Sequence, residues 1–375
     1  MKTENVDLGL IGLFSLVGLP YALKFLWSPI MDRFIPPFLG RRRGWILISQ
    51  IALIASISAM AFCSPARFPG ITALLAFGVA FFSASQDIVV DAYRTDVLSN
   101  DEIGPGASLY IAGYRVAMLV SGSVALILSD HLSWRAVYLI MAGTMVIGFI
   151  TSLFAPEPEA PTETPRNLAD AVVLPFVEFF KRVGALETLA FVLFYKIDMI
   201  LASAMMTPFM LDIGFTKTDI GAVTKGIGLA ATLIGTVVGG AGMVRFGMRK
   251  SLWIFGLTQG IANLSFTWLA HVGHHYPMMV AAITAESLFS GMGTAAFTAF
   301  MMSICDKRYS ATQYALITSL MALSRVLGGA PSGYLAQALG WEHYFLFCTF
   351  AMIPGLVILA RYSSWESSEV FSTAQ

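Results

Sequence analysis

Ionisable side chains stand inside stretches of this sequence that are otherwise apolar, and their spacing groups them. Gln86, Asp87, Asp91 and Arg94 share one stretch, and positions 87, 91 and 94 lie four and three residues apart, on one face of a helix. Arg94 is placed to pair with Asp91, which leaves Asp87 a turn away and less neutralised. A carboxylate held away from water binds a proton more readily, so this face offers proton coupling through Asp87 or Asp91. The plainer alternative is a static network of charge pairs at a helix end. Arg115 and Arg325 sit at equivalent depths in two other apolar stretches. A guanidinium grips a carboxylate through two parallel hydrogen bonds, so either arginine suits an acidic ligand. Alternatively each is buried against an acidic neighbour, Asp87 or Asp91 for Arg115 and Glu286 for Arg325. Lys196, Asp198, Lys225 and Glu286 complete the set, as donors and acceptors for a polar ligand together with Gln86, or as ion pairs of Glu286 with Lys196 or Lys225.

These groups matter because of the elements that must hold them. Of 375 residues, 57% are hydrophobic and 12% charged, about half the charged share of an ordinary soluble domain. A bilayer core of about 30 Å takes roughly 20 apolar helical residues. Runs of that length occupy 9–28, 44–63, 70–90, 107–128, 134–154, 187–210, 219–242, 251–270, 277–303, 311–336 and 343–361. They are continuously apolar, unlike the alternating ten-residue strands of membrane barrels. The sequence therefore predicts an all-helical polytopic membrane protein with eleven spans. A charge at mid-bilayer costs at least about 2.5–3.5 kcal/mol, which makes the ionisable groups above functional candidates.

Charge and composition exclude other classes. Lys plus Arg equals Asp plus Glu at 23 each, so the basic excess needed for nucleic acid is absent. Cys63, Cys305 and Cys348 are widely spaced, and His271, His274 and His275 lie in one loop, so no metal site is expected. Glycines at 235 and 239, and at 328, 329 and 333 around Pro331, read as helix packing or hinges and not as a phosphate loop. No Ser/His/Asp or Cys/His set lies at one depth, so the chain is expected not to be an enzyme and to need no cofactor. Basic residues of the connecting loops divide into fourteen on one side and four on the other, with five inside spans. The positive-inside rule puts the larger set, and the C-terminus, in the cytoplasm.

An internal repeat organises the spans. Trp45 and Trp253 are 208 residues apart, Arg115 and Arg325 210, and Trp134 and Trp341 207. The stretches MDRFIPPFLGRRRGWILI and MVRFGMRKSLWIF cross equivalent basic turns. Two tandem six-helix halves follow, 1–154 and 187–375, joined by a linker over 155–186 that is Pro-rich at first and then amphipathic, lying on the cytoplasmic surface. The partner of span 187–210 would fall before residue 1, so the first half is expected to hold spans 2–6 of a twelve-span design, the chain beginning late.

Two six-helix halves and the loop Asp32-Arg33 to Gly40-Arg41-Arg42-Arg43 resemble the major facilitator superfamily. KFLWSPIMDRF, SASQDIVVDAYRTDVL, APEPE, SGMGTAAFTAFMMSICDKRYSATQYAL and SRVLGGAPSGYL, in order along the chain, resemble its AmpG-type muropeptide permeases. One departure is the spacing Tyr195-Lys196-Ile197-Asp198, where that family has two residues between Lys and Asp. The resemblance implies a bacterial inner-membrane carrier, monomeric in the lipid bilayer, that imports N-acetylglucosaminyl-anhydro-N-acetylmuramyl peptides with protons for peptidoglycan recycling. It implies gating by Asp32 with Arg33, Arg41, Arg42, Arg43 and Arg94 through charge pairs between the halves, although these arginines also serve topology alone. A carrier of another large polar solute, such as an acyl-CoA-like molecule, and a non-transporting membrane sensor are the competing readings.

Overall fold

The computed structural model describes residues 19–63, 67–99, 101–159, 168–182 and 184–361. All regular structure among them is helical. Hydrocarbon offers no partner to a backbone amide, and a helix bonds its amides internally, so long apolar runs take this form. In chain order the helices are α1 (Leu19–Leu23), α2 (Ser28–Arg33), α3 (Arg41–Met60), α4 (Pro69–Val97), α5 (Ile103–Met118), α6 (Ala125–His131), α7 (Trp134–Phe154), α8 (Leu168–Lys181), α9 (Ala185–Phe194), α10 (Ile197–Asp212), α11 (Lys217–Ala222), α12 (Leu229–Val272), α13 (Tyr276–Ser303), α14 (Ser310–Phe350) and α15 (Ile353–Arg361). A tight 3₁₀ turn, Lys24–Leu26, joins α1 to α2. Wide π turns, Leu119–Val124 and Val223–Gly228, join α5 to α6 and α11 to α12.

Among the described residues, eight stretches are long and apolar enough to cross a membrane. One of them, Lys217–Val272, runs 56 residues, far more than one crossing needs. Gly247, with φ 75°, breaks it at the basic turn RFGMRK, so the expected spans 219–242 and 251–270 are separate helices. Gly340, with φ 73°, divides α14 in the same way and separates the spans expected at 311–336 and 343–361. An L side chain is strained in that left-handed region, which is why glycine stands at both turns. Every expected span from 44–63 onward coincides with helix. Most of the first, 9–28, lies outside the described residues, and with it the question of a span before it.

Local signals set the helix starts. Thr216 and Asp219 form a reciprocal cap at α11: the Asp219 N–H donates to Thr216 Oγ1 at 3.1 Å, and the Thr216 N–H to the Asp219 carboxylate at 3.1 Å. His275 caps α13, its Nδ1 accepting from the Met278 N–H at 3.3 Å, so one histidine of the loop has a structural use. His271 of the same loop stands 3.7 Å from Glu342, which is remote in sequence. The amphipathic segment of the linker is α8, with Val172, Val173, Val177 and Phe180 exposed.

The described chain packs as two units. The first comprises residues up to Leu98, Val116–Val177 and Cys305–Ser319; the second comprises Ser99–Arg115, Glu178–Ile304 and Leu320 onward. Small and branched side chains fill the core of the first, with Met31, Ile46, Ile88, Val89 and Ala92 against Ala311 and Ala315. In the second, aromatic rings dominate: Phe209 and Phe345 lie 4.8 Å apart and Phe266 and Phe345 5.2 Å. There α12 and α13 touch backbone to backbone, since a Cβ on Gly235 would come within 2.0 Å of the Leu288 carbonyl oxygen and one on Gly239 within 2.8 Å of Met292 Cα. The small-xxx-small spacing at 235 and 239 thus serves packing.

Candidate functional site

In the first unit a hub forms around Asp32 and Arg42, both buried. Asp32 closes α2, and Arg42 opens α3 two turns of chain later. Arg42 Nη2 donates to Asp32 Oδ1 at 2.9 Å and to Ser310 Oγ at 2.7 Å, while its Nε donates to Asp96 Oδ2 at 2.7 Å. Asp32 Oδ2 accepts from the Thr312 N–H at 2.9 Å and from Thr312 Oγ1 at 2.7 Å, and its Oδ1 accepts from the Ala311 N–H at 3.4 Å. Asp32 therefore caps the start of α14, 280 positions farther along the chain, where amide donors lack partners and the helix dipole favours an anion. Arg41 pairs with Asp96 at 3.1 Å and donates to the Lys307 and Arg308 carbonyls.

A second cap acts on α3 itself. The Glu157 carboxylate accepts from the N–H groups of Arg42 and Arg43 at 2.8 and 3.0 Å. A Cβ on Gly40, whose φ is 83°, would lie 2.5 Å from that carboxylate. Glycine at 40 thus answers both a backbone need and a close approach. Arg43 donates to the Ser152 and Leu153 carbonyls, and Arg33 lies over the Phe34 ring at 5.7 Å. Of the arginines grouped for gating, Arg41 bonds the segment before α14, and Arg42 and Arg94 bond α14 itself at Ser310 and Tyr314.

Beside the hub runs a chain of alternating charges. Lys24 Nζ donates to Asp87 Oδ2 at 2.5 Å and stands 3.7 Å from Asp91. Arg94 pairs with Asp91 and reaches Tyr314 Oη at 3.4 Å. Positions 87, 91 and 94 do share a face, as their spacing predicts. Among the described residues Asp87 faces one cation, the ammonium that the 3₁₀ turn brings against it, where Asp91 faces two, Lys24 and Arg94; the partner that the spacing did not reveal is Lys24. Asp87 keeps 30% of its side chain exposed against 5% for Asp91.

In the second unit the polar groups gather at a break in a spanning helix. α9 ends at Phe194 and α10 begins at Ile197, leaving Tyr195 and Lys196 between them. Lys196 is buried and donates to Thr294 Oγ1 at 2.7 Å. Asp198 is buried in the first turn of α10, where backbone amides face its carboxylate, and its Oδ2 makes no hydrogen bond to protein. Tyr195 donates to the Leu252 carbonyl at 2.8 Å and stacks on Phe297 at 5.2 Å, fixing the break from behind. A Cβ on Gly293 would lie 2.6 Å from Gln259 Oε1 and 3.7 Å from Lys196 Nζ, so Gln259 and Lys196 occupy the space a side chain there would fill.

Arg115 and Glu286 belong to the same unit, each within electrostatic range of Lys196. Within its own unit Arg115 thus has Lys196 and Glu286 as charged neighbours. No ion pair among the described residues joins Glu286 to Lys196, Lys225 or Arg325. Lys225 is exposed on its π turn and Arg325 is exposed on α14. Gln86 is half-buried, with Oε1 enclosed and making no protein hydrogen bond. Residues that sequence reasoning passed over are Lys24, Asp96, Glu157, Thr312 and Thr294. Lys24 carried a signal, a lysine in an apolar run, and Glu157 stands in the APEPE motif; Thr312 and Thr294 carried none.

The family model described as Major Facilitator Superfamily matches residues 3–329 and 197–369. The anhydromuropeptide permease of Escherichia coli K12 is 45% identical over 361 residues, covering 96% of this chain and 74% of that one. An uncharacterized protein of Haemophilus influenzae is 40% identical, over 96% of this chain and 87% of its own. The putative transporter AmpG 4 of Rickettsia conorii is 33% identical, over 96% and 89%. The proton:xylose symporter XylE, solved with 6-bromo-6-deoxy-D-glucose, matches with TM-score 0.71 at 12% identity, covering 96% of this chain and 88% of that one. At that identity the likeness is one of fold.

Proposed function

The chain belongs to the major facilitator superfamily, within its AmpG-type muropeptide permeases, and from that membership we propose that it imports anhydro-muropeptides by proton symport for peptidoglycan recycling. The carrying observation is 45% identity to the Escherichia coli permease along 96% of this chain, with ionisable groups gathered inside helices long enough to span a bilayer. It is a transporter and not an enzyme. On our reading it sits in the bacterial inner membrane as a monomer, with halves 1–154 and 187–375 and linker 155–186, its C-terminus and the basic turns at Arg41–Arg43 and Arg245–Lys250 in the cytoplasm.

The assignment of roles follows the chemistry of each cluster. Arg115, Lys196, Asp198 and Glu286, with Gln86, Lys225 and Arg325, contact substrate. Guanidinium and ammonium groups bind the stem-peptide and muramyl carboxylates, and the carboxylates accept from sugar hydroxyls and amides. The break at Tyr195–Lys196 supports this, because irregular backbone at membrane depth is tolerated where protein or a polar path surrounds it. Asp87 and Asp91 carry the proton. Asp32, with Arg41 and Arg42, holds the cytoplasmic end of α14 closed, and Arg33, Arg43 and Arg94 support that closure.

The test uses the full chain in proteoliposomes with labelled N-acetylglucosaminyl-anhydro-N-acetylmuramyl tripeptide. Uptake above its equilibrium level under an inward proton gradient is expected. Absence of exchange of this substrate by well-folded protein would sink the muropeptide reading.

A further inference from the structure

Lys24 has no part in the roles above, yet it is a buried cation held between two carboxylates of the first unit. It opens the 3₁₀ turn between α1 and α2, and its side chain is 5% exposed. Among the described residues the charged or titratable groups facing it are Asp87 at 2.5 Å, Asp91 at 3.7 Å and the Tyr21 phenol, whose hydroxyl bonds Ser83 at 2.5 Å. Beyond Asp91 stands Arg94, whose guanidinium lies over the Tyr314 ring at 5.6 Å. Two cations and two carboxylates thus alternate in one line and sum to zero charge.

Zero charge in a place short of water makes the arrangement sensitive to one proton. If Asp87 is protonated, Lys24 loses its nearest anion, and burial prevents it from turning to solvent. The nearest remaining carboxylate is Asp91, which already holds Arg94. An ammonium arriving there competes with the guanidinium, which also donates to the Tyr314 hydroxyl, on the helix whose start Asp32 caps. Trp27, at the end of the same turn, donates to Ser85 Oγ on α4 at 3.0 Å, so α4 fixes the turn with both carboxylates already within 4 Å of the ammonium.

We propose that Lys24 is a positioning residue of proton coupling, whose ammonium passes from Asp87 to Asp91 when Asp87 takes up a proton and so relays the charge change through Arg94 to Tyr314 on α14. This rests on the proton-symport reading. The proton ends on an Asp87 carboxyl oxygen; Lys24 stays an ammonium and no bond other than hydrogen bonds changes.

The test compares gradient-driven accumulation with gradient-free exchange of the labelled tripeptide, each variant being scored by the ratio of its own two rates in proteoliposomes. The ratio is expected to collapse to the equilibration level in Lys24→Met and to persist in Lys24→Arg. The pair Lys24→Met/Asp87→Asn, which leaves no unmatched buried charge, is expected to improve folding and exchange over Lys24→Met while the ratio stays collapsed. A pair that is merely structural, with the proton carried elsewhere, would instead regain the ratio in that double variant, and this result overturns the inference. A normal ratio in Lys24→Met overturns it as well. Wild-type protein that exchanges the tripeptide but ignores the gradient would overturn the symport reading and this inference with it, an outcome distinct from the two before.

Discussion

Replacing Asp32 by asparagine isolates the cap it places on α14. The carboxylate serves two groups of donors: Arg42 Nη2 and the Ala311 N–H at Oδ1, and the Thr312 N–H and hydroxyl at Oδ2. An amide of the same shape offers one acceptor oxygen, so whichever way it turns its NH₂ meets donors and one group goes unserved. Arg42 is not left bare, because Asp96 remains at 2.7 Å, so the cost stays below that of a fully orphaned buried charge. Losing charge-assisted hydrogen bonds to one group amounts to about 3 kcal/mol, on the order of a hundredfold in the equilibrium between docked and undocked α14. Hydrogen exchange read by mass spectrometry reports this directly. Amides over 310–314 should exchange on the order of a hundredfold faster in Asp32→Asn, while those of α13 hold their protection. Unchanged exchange over 310–314 would refute the reasoning, whatever transport does.

Other substitutions test separate contacts. Gly40→Ala must take a backbone conformation that side chains avoid and must displace the Glu157 carboxylate, so a stability loss of about 2 kcal/mol is expected, read by thermal unfolding and reduced in a Glu157→Ala background. Gly293→Ala meets Gln259 Oε1 at 2.6 Å, the end of a flexible chain, so the fold should survive while Gln259 and Lys196 shift; a raised KM for the tripeptide with near-normal thermal stability is the expected signature. Tyr195→Phe gives up one neutral hydrogen bond to the Leu252 carbonyl and keeps the stacked ring, so its cost should stay near ~1 kcal/mol, and a larger fall in melting temperature would show that the break depends on that bond.

How much of this was legible in advance depended on sequence distance. Continuous apolar runs, the basic turns at 41–43 and 245–250 and glycine at the sharp corners settle which segments are helices and where they stop, because backbone satisfaction and left-handed φ are local demands. The shared face of Asp87, Asp91 and Arg94 is local as well, since helical neighbours recur three and four residues apart. Lys24 and Asp87 are 63 residues apart, and Asp32 and Thr312 are 280 apart. Whether such groups meet is decided by the rotation and register of packed helices, which no spacing encodes, and so the spacing did not reveal Lys24 beside Asp87. The same holds at Gly293, where the use of a missing side chain appears only once Gln259 and Lys196 fill its place. Sequence alone determined the helical membrane fold, because composition and periodicity answer to the solvent and to the helix, and its ordered motifs marked the family. Tertiary packing alone decided which of the buried charges face each other, because that depends on contacts between residues far apart in the chain.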